Sequence, residues 1–144
     1  MKPLMLSLLF LLAVGFAPSP SFSDDVLFGE EFTLKAGEKT TLDPGIPSVP
    51  IKLRFVRVPH DGRCPDGAQC ILPGNAKVEL KFKSSSSRES LSVIVNTDEL
   101  PQEVEVPGIR VKLIKLTPHP RIGTDIDPND YEVTLVATRT SMLR

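Results

Sequence analysis

Residues 60–70 read HDGRCPDGAQC and hold both cysteines of the chain, together with a histidine, two aspartates and an arginine. Side chains that bind metals, move protons or exchange disulfides are thus gathered in one short stretch. Cys64 and Cys70 are separated by five residues, and no second cysteine pair exists to complete a zinc tetrad. Their spacing is not that of a thioredoxin-type C-x-x-C pair. The chemistry left to them is a structural bridge, Cys64–Cys70, formed in an oxidising compartment. Closing so short a loop stabilises a fold by about 2 kcal/mol in the chain-entropy description, so the bridge shapes the loop more than it holds the domain. Pro65, Gly67 and Gly74 supply the tight bends around it.

Two further groups could carry chemistry. His60 and His119 each end a strand in a Pro-His pair. If those strands lie side by side in parallel sense, the two imidazoles with Asp61 or Asp66 would suit zinc or copper. The stretch TDIDPNDYE at 124–132 begins like a calcium loop, with Asp125, Asp127 and Asn129 at alternate positions. Its sixth position is Asp130 where an EF-hand needs glycine, and its twelfth is Val136 where it needs glutamate, which excludes an EF-hand. A looser calcium site stands against the plainer reading of a proline-bearing turn into the last strand. No G-x-S-x-G, H-E-x-x-H, Walker loop or dinucleotide glycine fingerprint occurs, so no catalytic residues are assigned and the chain is not read as an enzyme. As a non-catalytic contact, the loop offers His60, Asp61, Arg63, Asp66 and Gln69.

The elements that must position these residues begin after a leader. MKPLMLSLLFLLAVGFAPSPSFS has a basic start, an apolar run from Leu4 to Phe16 and a polar, proline-broken tail, the layout of a secretory signal peptide over 1–23. The run is too short for a comfortable membrane span, and nothing after it is apolar enough to make one. The expected mature chain, 24–144, is one domain, exported to the periplasm or medium. Without Lys2 it carries sixteen basic and eighteen acidic residues, which argues against a nucleic-acid partner.

Within that domain helical periodicity is nearly absent, and short alternating runs are broken by proline and glycine. The pattern predicts strands at 31–36, 39–43, 50–59, 76–83, 89–96, 103–106, 109–117 and 130–138. In AKVELKFK, Ala76, Val78, Leu80 and Phe82 point in while Lys77, Glu79, Lys81 and Lys83 point out; Leu91, Val93 and Val95 share one face of the next run. One dry face per strand implies antiparallel sheets packed face to face, an immunoglobulin-like β-sandwich of seven to eight strands. IKLRFVRVPH (51–60) and IRVKLIKLTPH (109–119) both alternate and then slip phase by one residue, at Phe55/Val56 and Leu113/Ile114, as at a β-bulge. If these two strands pair, Lys52, Arg54 and Arg57 would join Arg110, Lys112 and Lys115 in one positive strip suited to an anionic surface ligand, against the plainer reading of a solvated face that discourages edge-to-edge aggregation. The chain has no tryptophan and one tyrosine, Tyr131, which disfavours sugar or base stacking.

DGRCPDGAQCILPGNA, followed by an alternating strand, resembles the motif of a family of uncharacterised bacterial secreted and lipoprotein β-domains, D-S-R-C-P, four residues, then C-x-W-A-G-x-A. TPHPRIG and IDPNDYEV stand where those domains carry a Y-P segment and an Asp-Tyr opening the last strand. The chain departs from the motif at Gly62, Leu72 and Pro73, where the family has Ser, Trp and Ala. The resemblance implies an exported β-domain and no particular activity. The expected role is a binding or accessory module presenting the stapled loop to a protein or an anionic ligand. The alternatives are a metal-binding protein using His60 and His119, and an inhibitor of a secreted hydrolase presenting CPDGAQC.

Overall fold

The computed structural model describes residues 26–140; the expected leader over 1–23 lies outside the described residues. Among the described residues eight strands form in chain order: β1 Glu31–Lys35, β2 Lys39–Leu42, β3 Ile51–Asp61, β4 Ala76–Ser84, β5 Leu91–Asn96, β6 Glu103–Val106, β7 Ile109–Thr117 and β8 Glu132–Arg139, with one 3-10 turn at Pro128–Asp130. They make two antiparallel four-stranded sheets, β2-β3-β4-β5 and β1-β8-β7-β6. This is the two-layer sandwich architecture of immunoglobulin-like domains, with a strand order of its own. The first sheet is a meander of neighbours in sequence, and the second is the meander β6-β7-β8 with β1 added as an edge strand against β8.

Period-two patterning builds the core. Ile51, Leu53 and Phe55 of β3 and Val78, Leu80 and Phe82 of β4 are buried against Val111, Leu113, Val133 and Leu135 of the opposite layer. The outward residues between them are charged or polar, so each strand separates oil from water without help from its neighbours. β5 follows this pattern only in part. Val95 is buried, but Leu91, on the same face, is 52% exposed, because β5 is an edge strand and its first residue overhangs the core.

The two slips of phase are real register shifts, between Phe55 and Arg57 against β4 and between Leu113 and Lys115 against β8. β3 and β7 also occupy matching places. Ile51 faces Leu42 across the β2–β3 hairpin as Ile109 faces Val106 across β6–β7. However, β3 and β7 lie in opposite sheets and do not pair. The single positive strip expected from their six basic residues therefore does not form: the two rows point away from each other, because both strands turn their apolar sets to the shared core.

Candidate loop-end site

β3 and β7 finish at the same end of the sandwich, and the link between them there is Arg63. Its side chain is only 6% exposed and that of Asp61 10%. Arg63 donates from Nε to Asp61 Oδ1 at 2.8 Å and from Nη2 to Asp61 Oδ2 at 2.6 Å, a two-point pairing within a D-x-R turn. It also donates to the carbonyls of Leu116 at 2.7 Å and Pro118 at 2.8 Å, which close β7 in the opposite sheet. Tyr131 completes the cluster with a hydroxyl bond to Asp61 Oδ2 at 2.9 Å. Its ring is buried at the entrance to β8.

Burial disfavours ionisation of Asp61, yet the bonds from Arg63 and Tyr131 outweigh it and leave its pKa below the usual aspartate value. Burial, helped by the same carboxylate, pushes the Tyr131 phenol up to about 12. Asp61 and Arg63 were expected among the presented contacts of the loop. Instead they are spent on each other and on backbone, because a carboxylate and a guanidinium two residues apart satisfy each other as the turn closes.

The disulfide Cys64–Cys70 is formed, with Cα atoms 6.0 Å apart. The loop it closes is tied down on both sides. Cys64 donates its amide to Pro73 O at 2.7 Å, and its carbonyl meets His119 Nε2 at 2.9 Å. Asp66 exchanges backbone bonds with Pro120 and Ile122 in a short bridge to the 118–127 loop. Gly74, at φ +73°, brings its backbone so close to Gly62 that an added Cβ would sit 2.0 Å from Gly62 O. Gly62 is less tight: a Cβ there would meet the movable His60 Nε2 at 2.9 Å and the Asn75 carbonyl at 3.3 Å.

Around this frame, Asp66 and Gln69 are exposed as expected. So are Ile71, fully, and Leu72, at 74%. Leu100 of the β5–β6 loop and Ile122 of the β7–β8 loop are exposed at the same end, at 88% and 61%. The β5–β6 loop is held there by Asn75, whose Oδ1 accepts from the amides of Thr97 and Asp98, both at 3.1 Å, and whose Nδ2 donates to Asn96 Oδ1 at 3.0 Å. Leu72 stood out in the sequence only as the residue in the place of the motif's Trp, and Asn75, Ile71, Leu100 and Ile122 carried no signal there, since only the path of the loops shows what they do.

The residues weighed as metal ligands are arranged otherwise. His60 lies on the outer face of β3 opposite Lys77, while His119 is occupied by the Cys64 carbonyl, with Asp66 Oδ1 at 3.8 Å. Among the described residues no three of His, Cys, Asp and Glu gather where they could hold one ion. Asp127 caps the 3-10 turn, accepting from the amide of Asn129 at 2.8 Å and from its Nδ2 at 3.0 Å. That engages two of the three residues weighed for calcium in the turn itself, and Asp125 stands exposed beside them. No family model, curated protein or solved structure matches this chain. The fold and site define an antiparallel β-sandwich with a disulfide-closed, internally clasped loop at one end.

Proposed function

We propose that this protein is an exported, non-catalytic binding module whose disulfide-loop end contacts a protein partner. The observation that carries this reading is the exposure of Ile71 and Leu72 on a loop fixed by the bridge, the Arg63 clasp and the Cys64–Pro73 bond. Apolar side chains held in water on a rigid loop gain by docking, and a preorganised loop loses little entropy when it does so. Leu100 and Ile122 extend the apolar contact across the neighbouring loops. The non-catalytic part rests on the buried ionisable groups: Asp61, Arg63 and Tyr131 saturate one another. Export rests on the disulfide, which persists in oxidising compartments, and on the leader-like amino terminus.

The test is site-specific photo-crosslinking in the producing cell. A crosslinker at position 72 is compared with one at position 46, since Ile46 is fully exposed in the β2–β3 loop at the other end. A discrete protein adduct from 72 and none from 46, identified by mass spectrometry, is the expected result. No adduct, or the same adducts from both ends, would overturn the reading.

A further inference from the structure

The outer faces of the two sheets carry opposite charge designs on matching frameworks. On the β1-β8-β7-β6 sheet, cations stand beside carboxylates. Arg110 bonds Glu105 at 3.0 Å and lies 3.6 Å from Glu103, Lys112 is paired in register with Glu103, and Lys35 with Glu132. On the β2-β3-β4-β5 sheet the corresponding positions are cation against cation. Lys39, Arg54 and Lys81 form one row across three strands, and Lys52 stands opposite Lys83. Arg57 and Lys77 add to this face, and the only carboxylate among the outward residues of its strands is Glu79, bonded to Arg57 at 2.9 Å.

Like charges directly opposite each other destabilise a sheet. The β6 strand shows the neutralising alternative, with Glu103 and Glu105 in the places that β2 fills with Lys39 and Thr41. In a chain whose net charge is −1, this concentration of positive charge on one face is local and not a by-product of composition. At the margin of the face, a hollow of about 370 Å³ gathers Lys52, Lys83 and Arg88 around Ser84, Ser85 and Ser87. Cations combined with a hydroxyl donor are the groups that hold a phosphate ester, and Ser87 has that hydroxyl to give, since Ser85 donates to Pro50 O and Ser84 is bonded to Ser86.

We propose that the outer face of the β2-β3-β4-β5 sheet is a docking surface for a bilayer rich in anionic phospholipid. Charge complementarity selects an anionic occupant, and three features favour a lipid surface over a polymer. The cations form a two-dimensional array across three strands and not a single track. The outward residues include no phenyl, phenol or indole ring on which a base or sugar would stack, and their one imidazole, His60, sits at the loop-end margin of the face. Lysines outnumber arginines, giving a diffuse field and not the bidentate forks that read individual groups. The face is separate from the loop end, so a molecule lying on a membrane would keep Ile71 and Leu72 free for their partner.

The experiment is vesicle co-flotation of the processed protein at low and high salt. One vesicle population is phosphatidylcholine alone; the other is equal parts phosphatidylcholine and phosphatidylglycerol. The wild type is expected to float with the mixed vesicles only, and to be released by salt. The variant Lys52→Glu/Lys81→Glu is expected to lose about tenfold or more in vesicle affinity. The variant Lys112→Glu/Lys115→Glu changes net charge equally on the other face and is expected to bind as wild type; thermal unfolding confirms that both variants fold. Absence of flotation by the wild type overturns the proposal, as does equal loss in the two variants. So does retention on a sulfated-glycan matrix or on duplex DNA without vesicle binding, which would assign the face to a polymer.

Discussion

The hydroxyl of Tyr131 donates to Oδ2 of Asp61 across 2.9 Å, joining the entrance of β8 to the end of β3 over a separation of 70 residues. The same carboxylate takes two bonds from Arg63, whose remaining reach goes to carbonyls at the end of β7. Three strands from both layers thus converge on one carboxylate, and the loop of the disulfide leaves from this point.

Removing one member of that cluster strands the others. Asp61→Asn would leave a guanidinium charge buried against a neutral amide, and breaking a buried pair in this way costs about 3–5 kcal/mol. Urea unfolding is the check. A loss under about 1 kcal/mol, the range of an exposed pair, would mean that the clasp does not hold the loop end.

The clasp also sets a pH window. Asp61 has a folded pKa below its unfolded value, so its contribution is present above about pH 4 and disappears as pH falls through the folded value. Tyr131 runs the other way. Its folded pKa of about 12 exceeds the unfolded value, so stability is kept up to about pH 10 and is lost as pH rises through the folded value. Tyr131→Phe should cost about 1 kcal/mol at neutral pH and flatten the alkaline limb. Stability measured against pH in both proteins decides it: an unchanged alkaline limb in the variant would place its origin elsewhere.

The disulfide should matter less than the clasp. Replacing Cys64 and Cys70 by serine should cost about 2 kcal/mol, the value for so short a closed loop. Backbone protection at Asp66 and Ile122 should persist, since those bonds do not pass through sulfur. Amide exchange on the double variant reads this directly, and loss of protection there would make the bridge the principal tie.

Gly74 is a sharper test of the loop's path. Its φ of +73° already disfavours any other residue, and the space a Cβ needs is filled by Gly62 backbone. Gly74→Ala should therefore cost more than about 2 kcal/mol, whereas a glycine of similar φ in open space, Gly123, should lose about 1 kcal/mol on the same change. Equal losses at the two sites would show that the contact with Gly62 is not what holds the loop.

The sandwich was legible because alternation is a local signal. β4 can be read from its own residues, and even the bulges announced themselves as a slip of apolar phase at Phe55 and Leu113. The disulfide was legible from two cysteines that follow a leader-like amino-terminal sequence. The clasp was not: D-x-R in a loop reads as two side chains turned to water, and nothing in HDGRC reveals that the end of β7 will present two carbonyls to Arg63. The charge faces failed for the same reason. Basic rows were visible on β3 and β7, but which strands stand beside them depends on pairing over long range. β2 and β4 bring more cations to β3, while β6 brings carboxylates to β7.

That difference in pairing makes a prediction about stability opposite in sign to the one about membranes. Lys81 faces Arg54, which faces Lys39 on its other side, so a glutamate at position 81 would replace a repulsion with an attraction. Lys81→Glu should raise the midpoint of thermal unfolding by about 1–4 °C at low salt. The gain should shrink as salt screens the pair. Lys115 faces Thr134, with no opposing cation, and Lys115→Glu should leave the midpoint nearly unchanged. Thermal scans of the two variants at two salt concentrations provide the comparison. If Lys81→Glu is neutral or destabilising at low salt, the cation row carries no strain and this face is not kept charged at a cost to folding.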